Sequence, residues 1–195
     1  MPNKIKYGLS KVYYAVATLG DNNTATYGEP VALPGAVSLS LEPQGENTPF
    51  YADNIQYYIV NANNGYEGDL EIARIPDSFK TDVLGMVESG NGLFVEDAAA
   101  EVIHFALLFQ FEGDVKATRH VMYNCTATRS QATGQTKTEN IEPQTETITI
   151  SAKPIHSATL NKDIVKADTN ESTGSTVYDA WYTAVTMPTA ATVTT

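Results

Sequence analysis

Hydrophobic and polar residues alternate with a period of two along several stretches of this chain, which is the pattern of half-buried β-strands. The clearest stretch is 36–42, where Val37, Leu39 and Leu41 share one face and polar residues share the other. Other stretches are rich in aromatic and β-branched residues, which favour strands. The pattern predicts a mainly β (α+β) fold with strands over about 11–19, 36–42, 55–61, 65–75, 101–112, 115–128, 141–151 and 177–186.

A single segment, about 77–88, has the period of an α-helix instead. Asp77 follows a proline and is placed to cap the free N–H groups of the first turn. The apolar residues of the segment recur at helical spacing, and we expect them to pack on the sheet: Phe79, Val83, Met86 and Val87. The sequence therefore predicts one helix that flanks the sheet.

The segment 43–54 has no hydrophobic period and contains two prolines, which predicts a long loop. Near its end, Phe50 and Tyr51 follow Pro49. Two interpretations of the aromatic pair stay open at this point. It folds back onto its own domain, or it contacts a partner.

Two further segments are predicted from their composition. The Asn-Asn-Gly sequence at 63–65 supplies the left-handed positions of a type I′ turn, so we expect strands 55–61 and 65–75 to form a hairpin. Residues 187–195, rich in Thr and Ala, are predicted to be flexible in a free chain.

Acidic residues recur on one side of the predicted strand 65–75. Glu67, Asp69 and Glu71 are spaced by two, and the residues of the opposite face are mainly apolar. Three carboxylates on one face must be in contact with water. An ordinary solvated surface explains this pattern, and so does a specialised acidic one.

The charge of the chain limits its partners. With 195 residues it is the size of one domain, 1–195, and its formal net charge is −11, from 12 basic and 23 acidic residues. Tight binding to duplex nucleic acid depends on cations that displace counterions from phosphates. The composition therefore argues against a nucleic-acid-binding protein, although acidity by itself also serves solubility.

The single cysteine, Cys125, excludes a disulfide within one chain. The longest apolar run, around 105–109, is too short to span a bilayer, and the first residues lead into no apolar segment. We therefore expect a chain that is made as a soluble intracellular protein without a membrane partner.

Motifs for catalysis, cofactors and metals do not appear with usable context. His104, His120 and His156 are scattered, and Cys125 lies in an apolar strand, so structural roles are expected for them. Residues 168–174 have the alternating oxygens of a calcium loop but lack its sixth-position glycine and its closing glutamate. We predict no catalytic residue, no cofactor and no metal site, and a structural or binding role.

Several segments, in the same order over about residues 5–188, resemble the major tail protein, or tail tube protein, of bacteriophages with long non-contractile tails. The segments that carry the resemblance are ALPGAVSL (32–39), TPFYAD (48–53), NGYEGDLEI (64–72), IPDSFKTDVLG (75–85), FALLFQFEG (105–113), RHVMYNC (119–125), EPQTET (142–147) and VYDAWY (177–182). Each one alone is weak, and the ordered set is more specific.

The resemblance implies an antiparallel β-sandwich or partial barrel with one flanking helix, in a structural virion protein without catalytic residues. It implies hexameric rings, formed by the protein itself, that stack into a tail tube through which DNA passes as transient cargo. It further implies other tail proteins as partners, such as the tape measure and the tail terminator, and assembly in the bacterial host cytoplasm.

Two site hypotheses follow from combining the resemblance with the residue patterns. Glu67, Asp69 and Glu71 are expected to face the lumen, and Pro49, Phe50 and Tyr51 are expected at subunit or ring contacts. Two alternative functions stay open. One is a β-sandwich adhesin or carbohydrate-binding module that uses tyrosines or Trp181 as stacking platforms, and the other is the inner-tube protein of a contractile injection system.

Overall fold

The computed structural model describes residues 3–136 and 143–190. Two short helices, α1 (Asp77–Asp82) and α2 (Ser175–Asp179), accompany the strands, and a 3₁₀ turn (Ala180–Tyr182) follows α2. The strands are β1 (Lys6–Leu19), β2 (Ala25–Tyr27), β3 (Val31–Ala32), β4 (Ala36–Gln44), β5 (Asn47–Ala52), β6 (Ile55–Asn61), β7 (Gly65–Ile72), β8 (Val87–Glu88), β9 (Phe94–Val95), β10 (His104–Gly113), β11 (Thr118–Ala127), β12 (Glu146–Ala152), β13 (Ile155–Ser157), β14 (Lys162–Ile164) and β15 (Lys166–Asp168).

The main sheet has nine strands and antiparallel pairing. Its strands follow the order β2-β1-β10-β11-β12-β7-β4, and β3 and β15 pair with β1 and β11 on the side. The order runs from one edge to another, so the sheet is open and is not a closed barrel. The expected mainly β fold is confirmed.

The central strand β10 is buried on both faces, which explains its almost continuous hydrophobic sequence. Phe105, Leu107 and Phe109 point into a first core cluster on one side of the sheet, and Ala106 and Leu108 point into a second cluster on the other. The protein therefore packs a layer on each face of this part of the sheet.

Helix α1 covers the first cluster and lies where the helix was predicted. Its Phe79 is fully buried, and the ring meets Tyr14 edge-on at a centroid distance of 5.1 Å and Phe105 at 5.8 Å. The helix ends at Asp82 instead of near 88, and its N-cap is Pro76, without a side-chain cap. These contacts show that burial of Phe79 holds this short helix, because six residues are too few to be stable alone.

The second cluster is closed by elements that the sequence pattern did not predict. Ile155 of β13 and Trp181, which is 3% exposed, pack against the sheet. The predicted strand 177–186 is instead α2 and the 3₁₀ turn. Met187 packs against this cluster, and residues 191–195 of the predicted flexible tail lie outside the described residues.

The segment 36–72 forms one long antiparallel ribbon. Its inner part, β4 with β7, belongs to the main sheet, and its outer part, β5 with β6, is a separate two-stranded sheet. The predicted loop 43–54 thus contains a strand. Its prolines are compatible with this because β4 is an edge strand and each strand of a two-stranded ribbon has a free edge.

The turn of this ribbon lies at Asp53 and Asn54, with φ of 52° and 61°. Two adjacent left-handed residues make the type I′ geometry, which Asp and Asn tolerate. The predicted hairpin at 63–65 is wrong, because β6 pairs with β5 while β7 pairs with β4 and β12. Gly65 instead begins β7 with φ +104°, and a Cβ there would lie 1.8 Å from the carbonyl oxygen of Ala152.

Val37, which was predicted to share the buried face of strand 36–42, does not lie on that face. The β4–β7 register shifts between Ala36 and Ser38, which leaves Val37 54% exposed. Leu39 and Leu41 remain half-buried against the first cluster, as expected. A bulge inserts one unpaired residue, so the period of two breaks at that point.

Candidate functional surfaces

The first candidate surface is the outward face of β4, β7 and β12, which we name the carboxylate face. Glu67, Asp69 and Glu71 lie on it, while Leu70 and Ile72 of the same strand are fully buried in the first cluster. The predicted single-sided arrangement of the carboxylates is therefore present. The second cluster does not extend over this half of the sheet.

Hydroxyl groups on β4, on β12 and at Thr145, just before β12, bind two of these carboxylates. Ser38 Oγ donates to Glu71 Oε2 at 2.9 Å, and Thr145 Oγ1 donates to Glu71 Oε1 at 2.6 Å. Thr149 Oγ1 donates to Asp69 Oδ1 at 2.7 Å. The bonds from Thr145 and Ser38 favour the ionised form of Glu71 and lower the pKa of this carboxyl from its ordinary value.

The composition of these strands makes the carboxylate face uniformly negative. The sequences of β4, β7 and β12 contain neither Lys nor Arg, and Glu42 of β4 lies directly opposite Glu67 of β7. Like charges placed opposite each other on a sheet destabilise the fold. Because the fold retains this unfavourable pair of carboxylates, we treat the carboxylate face as a candidate functional surface.

The second candidate surface is the outer ribbon, β5 and β6, which we name the arm. Phe50 and Tyr51 are 60% and 63% exposed, so the interpretation in which they fold back onto their own domain is wrong. Phe50 pairs with Tyr58, and Pro49 pairs with Ile59. Side chains of successive residues point to opposite faces, so the arm presents apolar groups on both faces.

Sequence reasoning missed part of this surface. Ile55, Tyr57, Tyr58 and Ile59 of β6 are also exposed, and Tyr57 is exposed by 70%. A signal was present in the sequence IQYYIV (55–60), because neither face of this strand is mainly polar. A strand with two apolar faces is expected to be covered on both sides, by its own domain or by a partner. Neighbouring exposed apolar side chains of this kind are typical of an interaction site.

The remaining candidate residues have structural surroundings. His104 Nδ1 lies 2.7 Å from Asn124 Oδ1, and His156 Nδ1 lies 3.0 Å from Asp163 Oδ1. Cys125 is fully buried, and burial raises the pKa of its thiol to about 12, which makes it a poor nucleophile.

The other possible ligand sites are equally ordinary. In the segment 168–174, Asn170 Oδ1 accepts the N–H of Ser172 at 2.8 Å, so this oxygen closes a turn. Among residues 3–136 and 143–190, no three His, Cys, Asp or Glu side chains form a cluster that could hold a metal ion. Trp181 is buried, and it offers no stacking platform for a carbohydrate.

A family model described as phage tail tube protein matches residues 2–193, which is nearly the whole chain. The chain belongs to this family. The resemblance inferred from the ordered segments is thus confirmed, and this phage tail tube protein is a structural component of the virion tail. No curated protein matches the chain significantly. Within the described part of this tail tube protein, no helix is long and apolar enough to cross a membrane.

Proposed function

We propose that the chain assembles into hexameric rings, and that stacked rings form a tube through which DNA leaves the capsid during ejection into the host. The observation that carries this proposal is the arm, which exposes apolar side chains on both faces. A two-stranded ribbon is marginally stable alone in water. Contact with other copies of the chain supplies the missing burial.

Pro49, Phe50 and Tyr51 form part of the subunit or ring contacts in this proposal. Phe50 and Tyr51 are among the most exposed large hydrophobic side chains of the described residues. Aromatic residues are enriched in the centres of protein interfaces. Proline at 49 restricts the backbone before assembly and so reduces the entropy lost when the arm is fixed.

The carboxylate face forms the wall of the lumen in this proposal. A ring of six chains at −11 each carries a formal charge of −66 before counterions. Carboxylates repel phosphate, and Glu67, Asp69 and Glu71 would therefore let a DNA chain pass without holding it. The absence of Lys and Arg from β4, β7 and β12 supports this role.

The remaining parts of the proposal rest on membership of the family. The tube works without catalysis, and the other tail proteins, such as the tape measure and the tail terminator, meet it along its length or at its end. Assembly takes place in the host cytoplasm.

Electron microscopy of the concentrated protein tests the proposal. We expect hollow tubes of uniform width, and six-fold symmetry in end-on views of single rings. Dispersed monomers under every solution condition contradict self-assembly. A helical reconstruction then places β7, and carboxylates on the outer wall would contradict the lumen assignment while leaving tube formation in place.

A further inference from the structure

A cleft of about 350 Å³ lies beside the first core cluster, between the two halves of the main sheet. Leu39, Leu41 and Tyr66 form one wall, and Phe111 and His120 lie on the other. The three apolar residues of the first wall and Phe111 are only half-buried, so the core is left partly open here. We name this the basal cleft.

Two cations stand at the rim of the basal cleft. Lys6 Nζ lies 4.1 Å from the centre of the Phe111 ring, and Lys166 Nζ lies 5.1 Å from the centre of the Tyr66 ring. Both lysines are exposed. In a chain with a net charge of −11, this is a local site for acidic and aromatic groups.

His120 forms part of the wall and has an unmet hydrogen bond. Its ring stacks on Phe109 at a centroid distance of 5.1 Å. Its Nε2 is buried and has no hydrogen-bond partner among the residues that the structure describes. Buried polar atoms are almost always paired, so the single chain leaves one polar atom of this wall unsatisfied.

The arm has the complementary composition. From residue 36 to residue 73 the chain contains no Lys or Arg, and Glu46 and Asp53 lie at the base and the tip of the arm. The exposed rings of Tyr51 and Phe50 accompany these carboxylates. The arm is thus acidic and aromatic where the basal cleft is basic and partly open.

We propose that the arm of one copy of this chain occupies the basal cleft of a neighbouring copy. The inserted aromatic side chains cover Leu41, Tyr66 and Phe111, and the carboxylates of the arm face Lys6 and Lys166. This inference rests on the proposed self-assembly and specifies one of its contacts.

The contact joins two different surfaces, so it is heterologous. Each copy has one arm and one basal cleft, and every copy can bind one neighbour through each. Heterologous contacts generate closed rings or open filaments instead of isolated pairs. The pairing of arm and cleft therefore fits a tube.

Cross-linking between two kinds of full-length chain tests the contact directly. One chain carries Gln56→Cys on the arm, the other carries Ser40→Cys at the basal cleft, both exposed positions to which the contact assigns no role. The native Cys125 is buried and does not interfere. We expect a short bis-maleimide to join the two chains in assembled tubes. The matched control pairs Gln56→Cys with Lys162→Cys, an exposed lysine of β14 outside the cleft.

Charge reversal gives an independent measurement. Lys6→Glu with Lys166→Glu is expected to raise the protein concentration needed for assembly by at least about ten-fold, since the reversed charges repel the arm. Lys153→Glu with Lys162→Glu makes the same change in net charge at exposed positions elsewhere and should assemble normally. Circular dichroism of both variants checks that the monomers are folded.

The outcomes separate this inference from the proposed function. Tubes without the specific cross-link, or tubes in which the Lys162→Cys control is cross-linked equally well, overturn the arm-in-cleft contact and leave tube formation intact. Charge reversal in the cleft with no greater effect than the control also overturns it. Failure of the unaltered protein to form tubes removes both.

Discussion

The inner and outer parts of the ribbon 36–72 share one chain path but have different side-chain patterns. In the inner part, Leu70 and Ile72 are buried and the carboxylates of β7 point to the opposite face. In the arm, neither face is polar and both are exposed. The alternation of polar and apolar residues along a strand indicates which face of the strand is in contact with water. Where alternation fails in an exposed ribbon, the missing cover has to come from another molecule.

The junction between the two parts is built from glycine. A Cβ on Gly45 would lie 1.9 Å from the carbonyl oxygen of Ala62. Beyond this point the strands continue as a separate sheet, whereas before it they pair within the main sheet. The ribbon can therefore leave the domain at this place, so that the inner part serves the fold and the arm is free for contacts.

The largest expected effect is the loss of assembly when the arm loses its aromatic residues. Phe50→Ala with Tyr51→Ala is expected to leave the monomer folded, because both side chains are exposed, and to abolish tubes in electron micrographs. Val102→Ala is a control, because Val102 is exposed away from the arm. Normal tubes from the double variant would show that the aromatic residues of the arm are not needed for contacts between copies.

The next effect is on stability and is expected in the inner part alone. Leu70→Ala opens a cavity at a fully buried position and should lower the free energy of unfolding by about 2–5 kcal/mol. Tyr58→Ala in the arm should change it by no more than about 0.5 kcal/mol. Denaturant unfolding of dilute, unassembled protein measures both values. Equal losses would mean that the arm belongs to the folding core of the monomer.

Much of the fold followed from the sequence where one face of a strand meets the core. The alternation around Leu39 and Leu70 and the apolar run of β10 placed these strands correctly. The failures have local causes. The segment 177–186 is apolar enough for a strand, but it forms the end of α2 and a 3₁₀ turn instead. These elements lie against one face of the sheet and bury Trp181 in the second cluster.

The candidate surfaces were predicted unequally. Glu67, Asp69 and Glu71 could be assigned to one face because side-chain direction follows from spacing alone. The pairing of β5 with β6 in the arm could not be predicted, because the sequence contains two competing turn signals. One is the Asn-Asn-Gly at 63–65, and the other is the Asp-Asn at 53–54, where the ribbon turns. The basal cleft depends on strands far apart in sequence, and no local pattern indicates it.

The smallest expected effect sharpens the description of the carboxylate face. Thr145 and Ser38 lower the folded-state pKa of Glu71 below its ordinary value of 4.5. Stability from a lowered carboxyl pKa is present above the unfolded-state pKa and is lost as the pH falls through the folded-state pKa. The unaltered protein should therefore lose stability on acidification below about pH 5 more steeply than Glu71→Gln. Unfolding midpoints measured across this range give the comparison.

Two matched variants decide whether the hydroxyl groups cause this effect. Thr145→Val removes the hydroxyl group that lowers the pKa of Glu71 the most. It should therefore make stability less dependent on pH, as Glu71→Gln does. Glu67→Gln removes a carboxylate from the same face but leaves both bonds to Glu71 in place, so it separates loss of charge from loss of these bonds. If Thr145→Val keeps the full acid sensitivity of the unaltered protein, the Thr145 hydroxyl does not hold the Glu71 carboxylate in its ionised form.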